Sequence, residues 1–131
     1  MLTDFPLNPI LPAQDGDRVR AFYRDVLGLE LLSGPAEDPM LFRAGADTTI
    51  ALTELPERVP PSYPVISFRV RDIEEVVRGL QERGVVLEPL AAGAFAGKEG
   101  VDRGVIMDWG PVRSAFLKDS EGNVLALNEF L

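Results

Sequence analysis

Side-chain chemistry most often rests on histidine or cysteine, and this chain of 131 residues contains neither. Their absence removes the usual general base, the thiolate nucleophile, the Ser-His and Cys-His pairs, and the commonest transition-metal ligand. Oxygen chemistry is what remains. Asp108, Glu129 and Glu54 are carboxylates that could hold a hard ion such as Mg²⁺ through water, and a carboxylate whose pKa burial raises could act as general acid or base. No two carboxylates are placed so as to demand such a role, and Ser67, Ser114 and Tyr63 have no evident activating partner. Binding suits the residue types better. The Gly-rich stretch "AAGAFAGKEGVDRGVIMDWGPVRSAF" reads as a long irregular piece carrying the only Trp, and long loops of this kind often carry function. Within it Trp109 is a candidate to stack on a flat ligand and Asp108 to pair with its charge. A turn at "DWGP", with the indole covering a sheet edge, accounts for the same residues equally well.

The elements that must position these groups show in the apolar spacing. Val19, Phe22, Tyr23, Val26 and Leu27 fall on one helical face, with Asp15 as N-cap and Gly28 as stop, which predicts a helix over about residues 16–27. Phe22 and Tyr23 read as core. Ile73, Val76, Val77 and Leu80 repeat the spacing, with Asp72 as cap, Glu75 completing a capping box and Gly84 as stop. Aligning Asp15 with Asp72 gives an offset of 72 − 15 = 57, which superposes Val19 on Val76 and Tyr23 on Leu80. Each helix follows a short extended run, "NPILPAQ" or "YPVISFRVR", and precedes further strands: "LELLSG", "PMLFRAG" and "TTIALTEL" after the first, "VVLEPL", "GPVRSAFLKD" and "NVLALNEF" after the second. The last two form a hairpin across Asp119 to Asn123, where Gly122 and Asn123 tolerate positive φ. The expected organisation is one α+β domain over 1–131. Module one covers about 6–55, a proline-rich linker about 56–63, and module two about 64–131.

Strand alternation then sorts the candidates. Ser67 and Arg69 share a face beside Val65, with solvent-facing or packing roles as the alternative. Phe116 and Arg113 are an odd number apart and cannot both face inward; if Ala126 faces a cleft, so does Asn128, while Glu129 points away. Asn8 and Asn128 are candidate hydrogen-bond partners for a ligand, with backbone satisfaction as the alternative.

A net charge of −8 and a pI near 4.5 argue against nucleic acid and favour cationic ligands, although solubility alone also explains them. No apolar run approaches a bilayer span, and the prolines and acids of the first fifteen residues do not resemble a secretory signal. A soluble protein is expected, with the cytoplasm as default.

"FYRDVLGLEL", "FRVRDIEEVVRGLQERGV" and "FLKDSEGNVLAL", in order and at the spacing of an internal duplication, resemble the vicinal oxygen chelate superfamily of glyoxalases, extradiol dioxygenases, fosfomycin-modifying enzymes and bleomycin resistance proteins. The resemblance implies tandem βαβββ modules forming a glyoxalase/bleomycin-resistance-type half-barrel pair, a cleft between them, and often a homodimer. In metal-dependent members it also implies ligands seven residues before each helix-capping Asp and seven after the Asp of the hairpin turn. Those positions hold Asn8, Val65 and Ala126, with Glu54 the carboxylate nearest a fourth. Such a set is poor for a divalent ion, because Val65 and Ala126 have no donor atom. Pro9, Pro12 and Asp15 are similar to the bleomycin-resistance branch, which binds a bulky cationic drug without altering it. The resulting expectation is a dimeric small-molecule-binding protein without a metal or other cofactor, its ligand set drawn from Asn8, Ser67, Arg69, Asp108, Trp109, Phe116 and Asn128. An alternative is a glyoxalase-like lyase or dioxygenase with an oxygen-only metal site, and a third reading is a protein-interaction or storage role.

Overall fold

In the computed structural model, residues 1–34, 37–57, 59–88 and 101–131 are described, so Arg58 of the expected linker, Pro89 and Leu90 of "VVLEPL" and residues 91–100 of the Gly-rich stretch lie outside them. The chain divides into two compact units, Met1–Val59 and Pro60–Leu131.

In the first unit, β1 (Ile10–Ala13) leads into α1 (Gly16–Ala21), and β2 (Glu30–Leu31), β3 (Met40–Ala44) and β4 (Thr48–Glu54) follow. The Asp15 carboxylate accepts from the Arg18 backbone N–H at 3.1 Å, the N-cap bond that its position predicts. The helix differs from the expected single α-helix over 16–27. From Phe22 to Val26 it widens into a π-turn closed by the Leu27 N–H to the Phe22 carbonyl, and Gly28 ends it at φ +74°. Val19 and Tyr23 are fully buried, and Tyr23 packs against Phe22 and Phe42 with ring centroids 5.7 and 5.8 Å apart. Burying side chains of this size contributes about 2–3 kcal/mol each. The sheet runs β1-β4-β3-β2, its first strand parallel to its last.

The second unit repeats this plan. β5 (Pro64–Arg69) and α2 (Ile73–Glu82) are followed by β6 (Leu87–Glu88), β7 (Val101–Arg103), β8 (Ile106–Asp108), β9 (Val112–Lys118) and β10 (Val124–Phe130). β5 again pairs in parallel with the final strand, and β6 and β8 share the far edge of β9. The offset of 57 carries β2 onto β6, as 30 + 57 = 87. The second unit then inserts a hairpin, β7–β8, turning at Gly104 with φ +79°. The expectation of irregular chain is therefore corrected for 101–108: those residues pair because β9 leaves backbone groups open beyond β6.

The α2 N-terminus is also built differently from the expected capping box. Asp72 adopts a left-handed conformation, φ 52°, and its side chain caps nothing, while Glu75 pairs with Arg78. The Asp72 N–H donates instead to the Glu129 carboxylate at 2.6 Å. A residue from β10 thus supplies the acceptor that the local motif would have supplied, and fastens the helix to the sheet it covers. Ile73, Val77 and Leu80 are the buried face of α2.

Candidate functional site

Alternation on the second sheet separates two surfaces. Ala115, Leu117, Leu125 and Leu127 are buried on the face that α2 packs against. Ser114, Phe116, Ala126 and Asn128 point the other way and line a concavity of about 340 Å³, at the small end of ligand pockets. β5 completes its wall with the run from Pro64 to Ser67. The register of β5 against β10 slips by one residue there: Pro64 stands opposite Val124, yet Ile66 stands opposite Leu125. Such irregularities re-aim side chains beside sites.

The walls are apolar and the polar groups converge. Ser114 Oγ donates to Asn128 Oδ1 at 2.6 Å, and Asn128 Nδ2 donates to Ser67 Oγ at 2.6 Å. Cross-strand register makes this possible, because Asn128 stands opposite Ser114 on β9 and Ala126 stands opposite Ser67 on β5. Ser114 is buried and Ser67 is exposed, so the chain of bonds runs from the interior to the mouth.

Of the sequence-derived candidates, Ser67, Phe116 and Asn128 are brought together on this surface. Trp109 stands beside it, partly buried against the cluster of Met107, Phe116, Val124 and Ala126. Arg69 shares the face but extends past the concavity, its guanidinium 4.7 Å from the centre of the Phe130 ring. Asp108 lies on the opposite, α2-facing surface. It is paired in register with Arg113, with Arg113 Nε 3.6 Å from its Oδ2, while Glu129 Oε1 is 4.0 Å from Arg113 Nη1. Asn8 belongs to the first unit, where its Oδ1 accepts from the Thr49 N–H at 3.0 Å. Ser114, Pro64 and Ile66 were not among the candidates. Ser114 could have been found by counting the hairpin register outward from the Asp119 turn, which sets it opposite Asn128.

The metal that the resemblance implies can be tested against these groups. Val65 and Ala126 stand on the concavity wall and offer no lone pair, and the Asn8 amide oxygen is occupied by a backbone donor. Among the described residues, no three His, Cys, Asp or Glu side chains come together in a set able to hold an ion. The residues at these positions do not fit a resident divalent ion.

A family model described as bleomycin resistance protein-like N-terminal matches residues 7–40. No curated protein matches the sequence. Among solved structures, the chain is similar to TnmS3, an antibiotic binding protein from Streptomyces sp. CB03234, at 26% identity and TM-score 0.65, covering 95% of this chain and 93% of that one. A glyoxalase family protein from Enterococcus faecalis matches at 25% identity and TM-score 0.70, covering 98% and 100%. The fosfomycin resistance protein FosX from Listeria monocytogenes shares the fold at 15% identity and TM-score 0.66, covering 97% and 91%. The matched opening segment and these whole-chain likenesses support the vicinal oxygen chelate superfamily, and the chain has its glyoxalase-type two-module fold.

Proposed function

We propose that this protein binds a small organic molecule in the concavity of its second unit and sequesters it without a metal ion and without chemical change. The observation that carries the reading is the lining. Val65 and Ala126 replace donor atoms with apolar wall, and the Ser114–Asn128–Ser67 chain gives that wall a small, fixed polar patch. Apolar walls with a few convergent polar groups are the ordinary composition of a ligand site. Among the described residues, the side chains that line the concavity are apolar or neutral polar.

An antibiotic is the ligand class we favour, supported by the likeness to the antibiotic binding protein TnmS3 and by the matched N-terminal segment. The net charge of −8 supports a molecule with cationic character, attracted at long range. The reading includes a homodimer, supported by the exposed apolar side chains of Leu2, Phe5, Leu7 and Ile10.

The test is a panel of aromatic antibiotics followed by Trp109 fluorescence and by melting temperature. Trp109 is the sole indole and touches the Phe116–Ala126 cluster, so an occupant should change its emission. Ligand at a hundredfold over Kd should stabilise by about 2.7 kcal/mol. Recovery of chemically altered ligand after incubation would replace sequestration with catalysis.

A further inference from the structure

The Ser114–Asn128–Ser67 chain has a direction, and the direction selects the ligand. Ser114 is only 4% exposed, and its hydroxyl proton goes to Asn128 Oδ1. Turning the amide round would make Asn128 donate to Ser114 and leave that buried O–H without an acceptor, a loss of about 1–3 kcal/mol. The amide is therefore held with its nitrogen toward Ser67. Ser67 Oγ accepts from that nitrogen, so its own proton is directed elsewhere, and among the described residues it donates to nothing. The second Asn128 N–H is likewise left over. Toward the mouth this chain therefore leaves two donors, the Ser67 O–H and the second Asn128 N–H, against one remaining Ser67 lone pair.

The charge on the same face agrees. Arg69 is the register partner of Asn128 and sits at the β5 rim, exposed and stacked on Phe130. Lys118, opposite Val124, is exposed at the other end of β9. The carboxylates of Asp108 and Glu129 are on the α2 side, engaged with Arg113 and with the start of α2. Glu88, opposite Phe116, is the acidic exception on this face, at the β6 edge and three strands away from Arg69.

We infer that the part of the ligand seated in the concavity is an apolar group ending in an oxygen acceptor, a carbonyl or an oxyanion, received by Ser67 and Asn128, with Arg69 at the rim to favour the oxyanion. A cationic group on the same molecule would remain outside. This inference rests on the concavity being the ligand site, and the experiment separates the two.

Titration calorimetry of the full chain with three probes of one shape, 2-acetonaphthone, 2-naphthoate and 2-naphthylmethylammonium, reads the preference directly. The ketone and the carboxylate should bind at least about tenfold more tightly than the ammonium ion. Ser67→Ala, a change at an exposed position, should weaken the ketone about fivefold, the size of one hydrogen bond, and leave the ammonium ion unchanged. Arg69→Ala should weaken the carboxylate more than the ketone. Ammonium binding as tight as or tighter than the ketone, or a ketone affinity that Ser67→Ala does not move, would overturn the inference while leaving the concavity as a ligand site. Binding by none of the three would overturn the site itself, and the inference with it.

Discussion

Single residues matter here mainly through hydrogen-bond bookkeeping. Asn123 is fully buried; its backbone N–H and its Nδ2 both donate to the Asp119 carboxylate, at 2.9 and 2.8 Å, and the Glu121 N–H adds a third donor at 2.8 Å. Removing the amide in Asn123→Ala leaves a buried carboxylate oxygen short of a donor, so the variant should lose about 2 kcal/mol. Thermal unfolding checks this, with a fall in Tm of roughly 6–10 °C expected for a domain of this size. Period-two reasoning read the residue scale well where strands are long. It put Asn128 with Ala126, separated Phe116 from Arg113 and turned Glu129 away, as the sheet does. The same reasoning could not separate Asp108 from Trp109. Which of two neighbours faces the concavity depends on how β8 registers against β9; Gly110, at φ +100°, marks the turn between them but not which residues pair across it.

At the level of elements, two attachments decide where α2 and the hairpin sit. Glu129→Ala removes the acceptor from the Asp72 N–H and a carboxylate from the α2 N-terminus, and should cost about 1 kcal/mol. Ligand affinity should hold, because Glu129 lies on the face away from the concavity; denaturant titration and calorimetry on the same variant measure both quantities. Gly122 turns the hairpin at φ +85°, and a Cβ there would lie 3.2 Å from Pro60 Cγ. Gly122→Ala should therefore cost about 1–2 kcal/mol, from a left-handed backbone and a tight contact together. The hairpin was legible because Asp, Gly and Asn mark a turn by their own chemistry. The capping of α2 was misread because a capping box describes only the nearest four residues, whereas the competing acceptor comes from 57 residues away.

For the whole molecule, the donor-poor lining predicts indifference to chelation. Dialysis against a strong chelator should leave both Tm and ligand affinity unchanged, and elemental analysis of protein re-exposed to Mg²⁺, Mn²⁺, Fe²⁺, Ni²⁺ and Zn²⁺ should find no stoichiometric ion. A bound ion at one per chain would mean that oxygen ligands outside Val65 and Ala126 assemble a site. Light scattering should find two copies per particle if the homodimer is right. No helix among the described residues is long and apolar enough to cross a membrane, in keeping with the hydropathy of the sequence. The sequence by itself determined the α+β modules, their duplication at an offset of 57, and the apolar side chains at Val65 and Ala126. Periodicity and residue type are local properties, and local chemistry writes them directly. Only the tertiary structure decided that Ser114 joins Asn128 to Ser67, that the second unit adds a hairpin, and that Asp108 turns from the concavity. Those outcomes depend on strand register between distant segments, where a shift of one residue exchanges the two faces of a sheet.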